Sequence, residues 1–235
     1  LYAGQDEEKI ISFLEKVLKS LRREIHIIPL PSYQNIFAQE FEGFLKHFRK
    51  QLSKRREYFY AGLSFEERLT INTLVNMREL FTTPNVLHDL NQEDFEGKPA
   101  IIISAGPSLN DEIEWLRYIK EHRLAYLFAV GSAINTLLSH QILPDAVFTY
   151  DPQKVNAEVF KKVKDLNIQI PLIFGSSVGY ETLEDYSGIK MHVLINQEMA
   201  SSFFLKRKNG EELKITSDAG SIAVIAFQVL NMWKS

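Results

Sequence analysis

The chain has no cysteine among its 235 residues, which excludes disulfides, thiolate metal sites and cysteine nucleophiles. It also has no apolar run as long as the roughly 18 residues that a membrane-spanning helix needs. Its net charge of −3 gives no general electrostatic reason to bind nucleic acid. We therefore expect a soluble, cytoplasmic globular protein with no nucleic-acid partner and no membrane span.

Several common site signatures are absent as well. The sequence contains no Gly-x-x-x-x-Gly-Lys-Ser/Thr phosphate loop, no Gly-x-Gly-x-x-Gly dinucleotide fingerprint and no Gly-x-Ser-x-Gly nucleophile elbow. Its six histidines never occur at the spacing of helical metal ligands, so we interpret them as surface or packing residues. No close pair of aspartates is present to hold a divalent ion on a diphosphate. We predict no metal site.

The first part of the chain, residues 1–96, has the pattern of long helices. Apolar residues recur at helical spacing over residues 6–21, over 33–60 and from Ser64 to about residue 80, where Pro84 stops the pattern. Ser64 and Glu67 have the spacing of a capping box, which predicts a new helix at Ser64. The sequence thus predicts a helical N-terminal region. The start at Leu1 lacks the features of a secretion signal, and the missing initiator Met suggests that the chain was cut there.

Residues 97–235 have a different pattern, in which short apolar runs alternate with helical segments. The runs end near residues 103, 130, 150, 174 and 195. Such alternation predicts an α/β, Rossmann-like parallel sheet with helices on both faces. Four of the predicted strands end in small or polar turns, and the carboxyl ends of parallel strands share one edge of a sheet. Ligands bind at that edge, where the strand order reverses, so we place the site there.

The turn after the first predicted strand is the best candidate for a phosphate site. Ala105-Gly106-Pro107-Ser108 has no large side chain, and Asp111 lies three residues after Ser108 at the head of an amphipathic segment. Backbone N–H groups at such a helix start can bind an anion. The alternative is an ordinary connection with a well-capped helix, and this turn alone leaves both interpretations open.

Four segments together carry a resemblance to a known family. Residues 97–109 (GKPAIIISAGPSL), 129–133 (AVGSA), 144–147 (PDAV) and 151–153 (DPQ) resemble, in order and spacing, the motility accessory factor (Maf) family of flagellin glycosyltransferases. The Gly-Pro-Ser-Leu turn is shared with bacterial sialyltransferases and with archaeal pterin diphosphokinases. The segment before it is also similar to the stretch that precedes the core domain in Maf proteins.

The resemblance implies a function. Maf proteins transfer a nonulosonic acid, such as pseudaminic or legionaminic acid, from its CMP derivative to Ser or Thr of flagellin in the cytoplasm. Flagellin and a nucleotide-sugar donor are therefore the expected partners, and flagellar assembly and motility the expected context. In a CMP-linked donor the leaving group is a single phosphate ester, so we expect no required cofactor.

The sequence departs from the related families at three places. Ala105 stands where sialyltransferases have Asn. Residues 219–223 (AGSIA) keep one of the two glycines of the expected Gly-Gly-Ser-Val-Ala stretch. The chain also stops at Ser235, after an almost wholly apolar helix, where Maf proteins continue, so we expect a truncated C-terminal part.

These arguments give a set of candidate residues. Asp151 is the tentative catalytic residue, as a general base or a ribose ligand, although Asp before Pro is also a common turn former. The residues expected to contact substrate or nucleotide are Ala105, Gly106, Pro107, Ser108, Leu109, Gly131, Ser132, Gln153, Gly175, Ser176, Gly220 and Ser221. One alternative function is a 6-hydroxymethylpterin diphosphokinase-like transfer of pyrophosphate from ATP, which would need Mg²⁺. The other is a non-catalytic fragment that docks flagellin.

Overall fold

The computed structural model describes residues 27–196, 200–206 and 210–233. The predicted helix over residues 6–21 lies outside them. Contacts divide the chain into two units, Leu1–Phe65 and Glu66–Ser235. The predicted domains, 1–96 and 97–235, stay a prediction, because residues 66–96 pack within the unit that carries the sheet.

Within the described residues, two helices precede the sheet. Helix α1 spans Pro31–Asn35, and helix α2 spans Ala38–Thr82. The predicted helix start at Ser64 is wrong, because α2 runs through this position without a break. No proline occurs between residues 38 and 82, and a lone glycine in a helix costs only about 1 kcal/mol. The helix ends just before Pro84, as predicted.

The second unit contains a six-stranded parallel sheet, which confirms the α/β, Rossmann-like prediction. Its strands are β1 (Ala100–Ile103), β2 (Tyr126–Val130), β3 (Ala146–Thr149), β4 (Leu172–Gly175), β5 (Lys190–Ile195) and β6 (Ile215–Thr216). The strands lie in chain order, β1-β2-β3-β4-β5-β6. The expected reversal of strand order is therefore wrong for the described sheet, and it offers no switch-point crevice.

Helices follow most of the strands. They are α3 (Ile113–Glu121), α4 (Ala133–Ser139), α5 (Asn156–Val159), α6 (Lys161–Asp165), α7 (Tyr180–Leu183), α8 (Ala200–Phe204) and α9 (Ile222–Met232). Short 3-10 helices span Gln92–Asp94 and Pro107–Glu112. None of the described helices is both long and apolar enough to cross a membrane.

Apolar side chains cover both faces of the sheet, as the continuous apolar strands predict. On one face, Leu127 and Ala129 of β2 lie in a cluster with residues of α3 and α4. On the other face, Phe128 and Val130 lie in a cluster with α9 and the fully buried Trp233. Helix α9 contacts β1, β2, β3 and β6, so it returns across the sheet from its last strand to its first.

Candidate functional site

The carboxyl edge of β1, β2 and β3 brings most of the predicted site residues together. These strands are neighbours in the sheet, so the turns that follow them lie side by side. The Gly131 amide, just after β2, donates to the Phe148 carbonyl of β3 at 3.0 Å. The Tyr150 hydroxyl, just after β3, donates to the Ala219 carbonyl at 2.7 Å, which places the start of α9 at the same edge.

The turn after β1 is open to solvent over Ser104–Ser108. Gly106 has φ 179° and ψ 162°, an extended conformation that any residue adopts. A Cβ added to Gly106 would meet nothing within 4 Å. Neither backbone strain nor packing therefore explains a glycine at this position, whereas the close approach of a ligand to the backbone would.

The hydrogen bonds of this turn differ from the prediction. The Leu109 amide donates to the Gly106 carbonyl at 3.1 Å, and the Leu109 side chain is in the core. Pro107 has no N–H. Residues 107–112 form a 3-10 helix, and neither its N-cap, Gly106, nor that of α3, Glu112, makes a side-chain capping hydrogen bond, so the well-capped helix start that the sequence leaves open as an alternative is not formed. In this exposed turn the amides of Gly106 and Ser108, and the Ser108 hydroxyl, can donate hydrogen bonds to an anion.

The turn after β2 has a structural reason for its glycine. Gly131 has φ 51°, in the left-handed region that favours glycine, and it is half-buried. Ser132 is exposed at the N-cap of α4, but its side chain makes no capping hydrogen bond. Ser132 thus presents a hydroxyl at the edge, beside the turn that follows β1.

The loop after β3 contains Asp151 and Gln153, both exposed. Asp151 Oδ1 accepts a hydrogen bond from the Gln153 amide at 2.9 Å, and the Asp151 carbonyl accepts one from the Gly179 amide at 3.0 Å. The carboxylate therefore stabilises its own turn. This is the turn-forming role that the sequence offers as the alternative to a catalytic or ligand-binding role. Because the carboxylate is exposed, this hydrogen bond leaves it accessible to a ligand.

The turn after β4 is closed. Gly175 and Ser176 are buried, and the Ser176 carbonyl accepts a hydrogen bond from the Asn76 side chain at 3.2 Å. A Cβ on Gly175 would lie 2.7 Å from Ile195 Cδ1 and 2.9 Å from Tyr150 Cβ, so this glycine is required by packing. Ligand contact at Gly175 or Ser176 would require the loop to open.

The start of α9 is exposed at Gly220 and Ser221. Ser221 is the N-cap, and its Oγ accepts a hydrogen bond from the Ala223 amide at 3.3 Å. A Cβ on Gly220 would meet nothing within 4 Å, as at Gly106. The positive end of the α9 dipole lies behind these residues.

Sequence reasoning missed three residues of helix α2 that contact this edge. Arg68, Asn72 and Asn76 donate hydrogen bonds to backbone carbonyls of the loops after β3 and β4. Their spacing of four residues puts them on one face of the helix. Two asparagines one turn apart in an amphipathic segment were the available signal, because asparagine is a poor helix former and is rarely buried without partners.

One histidine is buried beside the closed turn. His192 of β5 is 3% exposed, and its Nδ1 lies 3.1 Å from Thr83 Oγ1. Burial lowers the pKa of His192 to about 4, against a smaller opposing effect of the Asp89 carboxylate. This residue packs, as predicted. Within the described ranges, no group of three or more His, Cys, Asp or Glu side chains is arranged to hold a metal ion.

The chain matches a known family and is similar to a solved structure. Residues 71–233 match the family model described as 6-hydroxymethylpterin diphosphokinase MptE-like. No curated protein matches the chain. Among solved structures, the chain is similar to the Maf glycosyltransferase from Magnetospirillum magneticum AMB-1, with a TM-score of 0.67 and 14% identity.

That similarity covers 97% of this chain and 34% of the solved one, so the chain spans about a third of the length of the protein that it matches. At this identity the likeness shows a shared fold, and it agrees with the resemblance to Maf proteins noted in the sequence. The family model agrees with the turn shared with pterin diphosphokinases and covers well over half of the chain. The chain belongs to the MptE-like family.

Proposed function

We propose that this chain carries the donor-binding core of a glycosyltransferase that uses a CMP-activated nonulosonic acid of the pseudaminic or legionaminic type. Its acceptors would be Ser or Thr hydroxyls of flagellin in the cytoplasm, in the service of flagellar assembly and motility. The observation that carries this proposal is the exposed turn after β1. There Gly106 has open space above its Cα and no structural need to be glycine.

The turn fits the phosphate of the donor. The amides of Gly106 and Ser108 and the Ser108 hydroxyl would donate to the phosphate oxygens of CMP. As the bond between the anomeric carbon and the phosphate oxygen breaks, negative charge grows on that phosphate. Fixed backbone donors stabilise such charge at no further cost in reorganisation. A single phosphate ester can therefore leave without a metal ion.

The neighbouring turns complete the site. Ser132 and the Gly220–Ser221 segment lie on the same edge and would contact the ribose, the base or the donor carboxylate. Asp151 would accept the proton of the acceptor hydroxyl while the acceptor oxygen bonds to the anomeric carbon. Gln153 would bind the donor beside it. The fold shared with a Maf glycosyltransferase supports the choice of a sugar donor.

A second candidate function has its own support. The family model that matches residues 71–233 is described as 6-hydroxymethylpterin diphosphokinase MptE-like. This description favours transfer of pyrophosphate from ATP. That reaction would use the same turn for the ATP phosphates and would need Mg²⁺ with acidic ligands. Asp151 is an exposed acidic residue at this edge that would serve.

A thermal-shift experiment on the 235-residue chain separates the candidates. At a concentration of 100 times its Kd, a ligand stabilises the folded state by about 2.7 kcal/mol, or a rise in Tm of roughly 5–10 °C. CMP in the presence of EDTA should give that rise if the transferase proposal is right. A rise with ATP and Mg²⁺, and none with CMP, would favour the diphosphokinase. No rise with either nucleotide would contradict both and leave the flagellin-docking alternative.

A further inference from the structure

Two buried asparagines of helix α2 connect that helix to the carboxyl edge of the sheet. Asn72 and Asn76 are 0% and 1% exposed. Asn72 Nδ2 donates to the Pro152 carbonyl at 2.9 Å and to the Ser177 carbonyl at 3.0 Å. Asn76 Nδ2 donates to the Ser176 and Val178 carbonyls at 3.2 and 2.7 Å. Each amide thus uses both of its N–H groups on loop backbone.

The two asparagines differ in the loop that they hold. Asn76 contacts only the closed turn after β4, whereas Asn72 joins that turn to the loop after β3. The loop after β3 carries Asp151 and Gln153, the two exposed polar side chains proposed for the site. Buried carbonyls without a donor cost about 1–3 kcal/mol each, so both asparagines stabilise the fold. Of the two asparagines, Asn72 is the one that donates a hydrogen bond to the loop after β3.

Other contacts fix the same loop. The Pro152 carbonyl also accepts a hydrogen bond from Arg68 Nε at 3.1 Å. The Gly179 amide donates to the Asp151 carbonyl, and a Cβ on Gly179 would lie 2.9 Å from the Gln153 carbonyl. The turn after β4 therefore packs directly against the loop 151–153, and hydrogen bonds from Asn72 and Arg68 hold the loop there.

We propose that Asn72 is a positioning residue for the ligand: it fixes the loop 151–153 so that Asp151 and Gln153 stand at the open edge, beside the turn after β2. The identity of the ligand in this inference is taken from the proposed function. The positional effect itself does not depend on which nucleotide binds. Arg68 supports the same carbonyl from a less buried position, since its side chain is 26% exposed and ion-paired with Glu181.

The test compares Asn72→Ala with Asn76→Ala in the 235-residue chain. The two variants are matched, because each removes one buried amide and two hydrogen bonds to loop carbonyls from the same face of α2. Both should lower Tm. Arg68→Met, which keeps Asn72 and removes the second donor to Pro152 together with the ion pair to Glu181, is a further variant in case Asn72→Ala does not fold.

Hydrogen–deuterium exchange followed by mass spectrometry gives a readout without any ligand. Asn72→Ala should increase exchange in peptides covering residues 149–156, and Arg68→Met should do so more weakly. Asn76→Ala should increase exchange only in peptides covering 172–183. Equal exchange of residues 149–156 in Asn72→Ala and Asn76→Ala would overturn the inference. If Asn72→Ala does not fold, an unchanged exchange rate of residues 149–156 in Arg68→Met would overturn it instead.

Isothermal titration with CMP gives the second readout. The Kd should rise about tenfold in Asn72→Ala, the equivalent of one lost buried hydrogen bond, and less than about twofold in Asn76→Ala. Equal losses would assign Asn72 a purely structural role and overturn the inference. If the wild-type chain does not bind CMP, the proposed function fails, and the exchange experiment alone then decides whether Asn72 positions the loop.

Discussion

Two turns of this sheet look alike in the sequence and behave oppositely in the structure. Both follow short apolar strands and consist of small residues, around Gly106 after β1 and around Gly175 after β4. The second turn is buried, and its glycine is required by the side chains of Ile195 and Tyr150. The first is exposed, and nothing in its conformation or surroundings requires glycine. A glycine that the fold does not need is the better indication of a ligand.

The largest effect on the free energy of unfolding should come from pH, through the buried His192 near the closed turn after β4. His192 pairs with Phe174 of β4, and burial lowers its pKa from 6.5 to about 4. Between these values the unfolded chain binds a proton that the folded chain does not. Stability is therefore fully present above pH 6.5 and falls as the pH drops, by about 3 kcal/mol at pH 4 and about 2 kcal/mol at pH 5.

Urea unfolding at pH 7 and pH 5 measures this effect, with His192→Gln as the control that removes the titrating group. The loss between the two pH values should shrink to a small remainder in the variant. The same loss in both proteins would mean that His192 is already protonated or solvated in the folded chain.

Gly175→Ala should give the next largest effect. The new Cβ would lie 2.9 Å from Tyr150 Cβ, an atom close to the backbone that cannot move away without shifting β3. We expect a loss of about 2 kcal/mol in the free energy of unfolding, as for other overpacked sites. Chemical denaturation measures it, and a loss below about 0.5 kcal/mol would show that the turn after β4 is less tightly packed than the structure indicates.

Ser221→Ala is an intermediate case, because this exposed residue has a structural role. Its Oγ accepts a hydrogen bond from the Ala223 amide at the start of α9. Losing an N-cap of this kind costs about 1 kcal/mol, and Ser221→Asn, which can cap as well, should recover most of it. Unchanged stability in Ser221→Ala would make the hydroxyl available for a purely ligand-binding role.

Gly106→Ala should have the smallest effect on stability and a clear effect on binding. Its Cβ meets no atom, so the free energy of unfolding should change by less than about 0.5 kcal/mol. The methyl group would occupy the space above the backbone that a phosphate needs, so CMP affinity should fall. Gly43→Ala, in helix α2, is the matched control that should keep that affinity. A stable Gly106→Ala protein that binds CMP like the wild type would remove the turn from the site.

The fold was largely predictable from the sequence. The five longer strands were predicted within one or two residues because apolar runs bounded by turns are a strong signal. Strand β6 was missed because it has only two residues, Ile215–Thr216, and follows a charged segment. The predicted break at Ser64 is wrong because the helix-forming sequence continues on both sides of this local capping pattern, with no proline to interrupt it.

The candidate site was less predictable. The sequence marks small residues at strand ends, but exposure depends on what packs above each turn. The asparagines of α2 lie about 80 to 105 residues before the carbonyls that they contact, so no local pattern connects the two. Likewise, the backbone hydrogen bond that uses the Leu109 amide becomes visible only in the three-dimensional turn.

A crystal structure of the chain soaked with CMP tests the central claim most directly. Phosphate oxygens should lie about 3 Å from the amide nitrogens of Gly106 and Ser108, with Ser132 and Asp151 nearest the ribose or base. Nucleotide bound at the opposite edge of the sheet, or at this edge without contact to residues 106–108, would contradict the account.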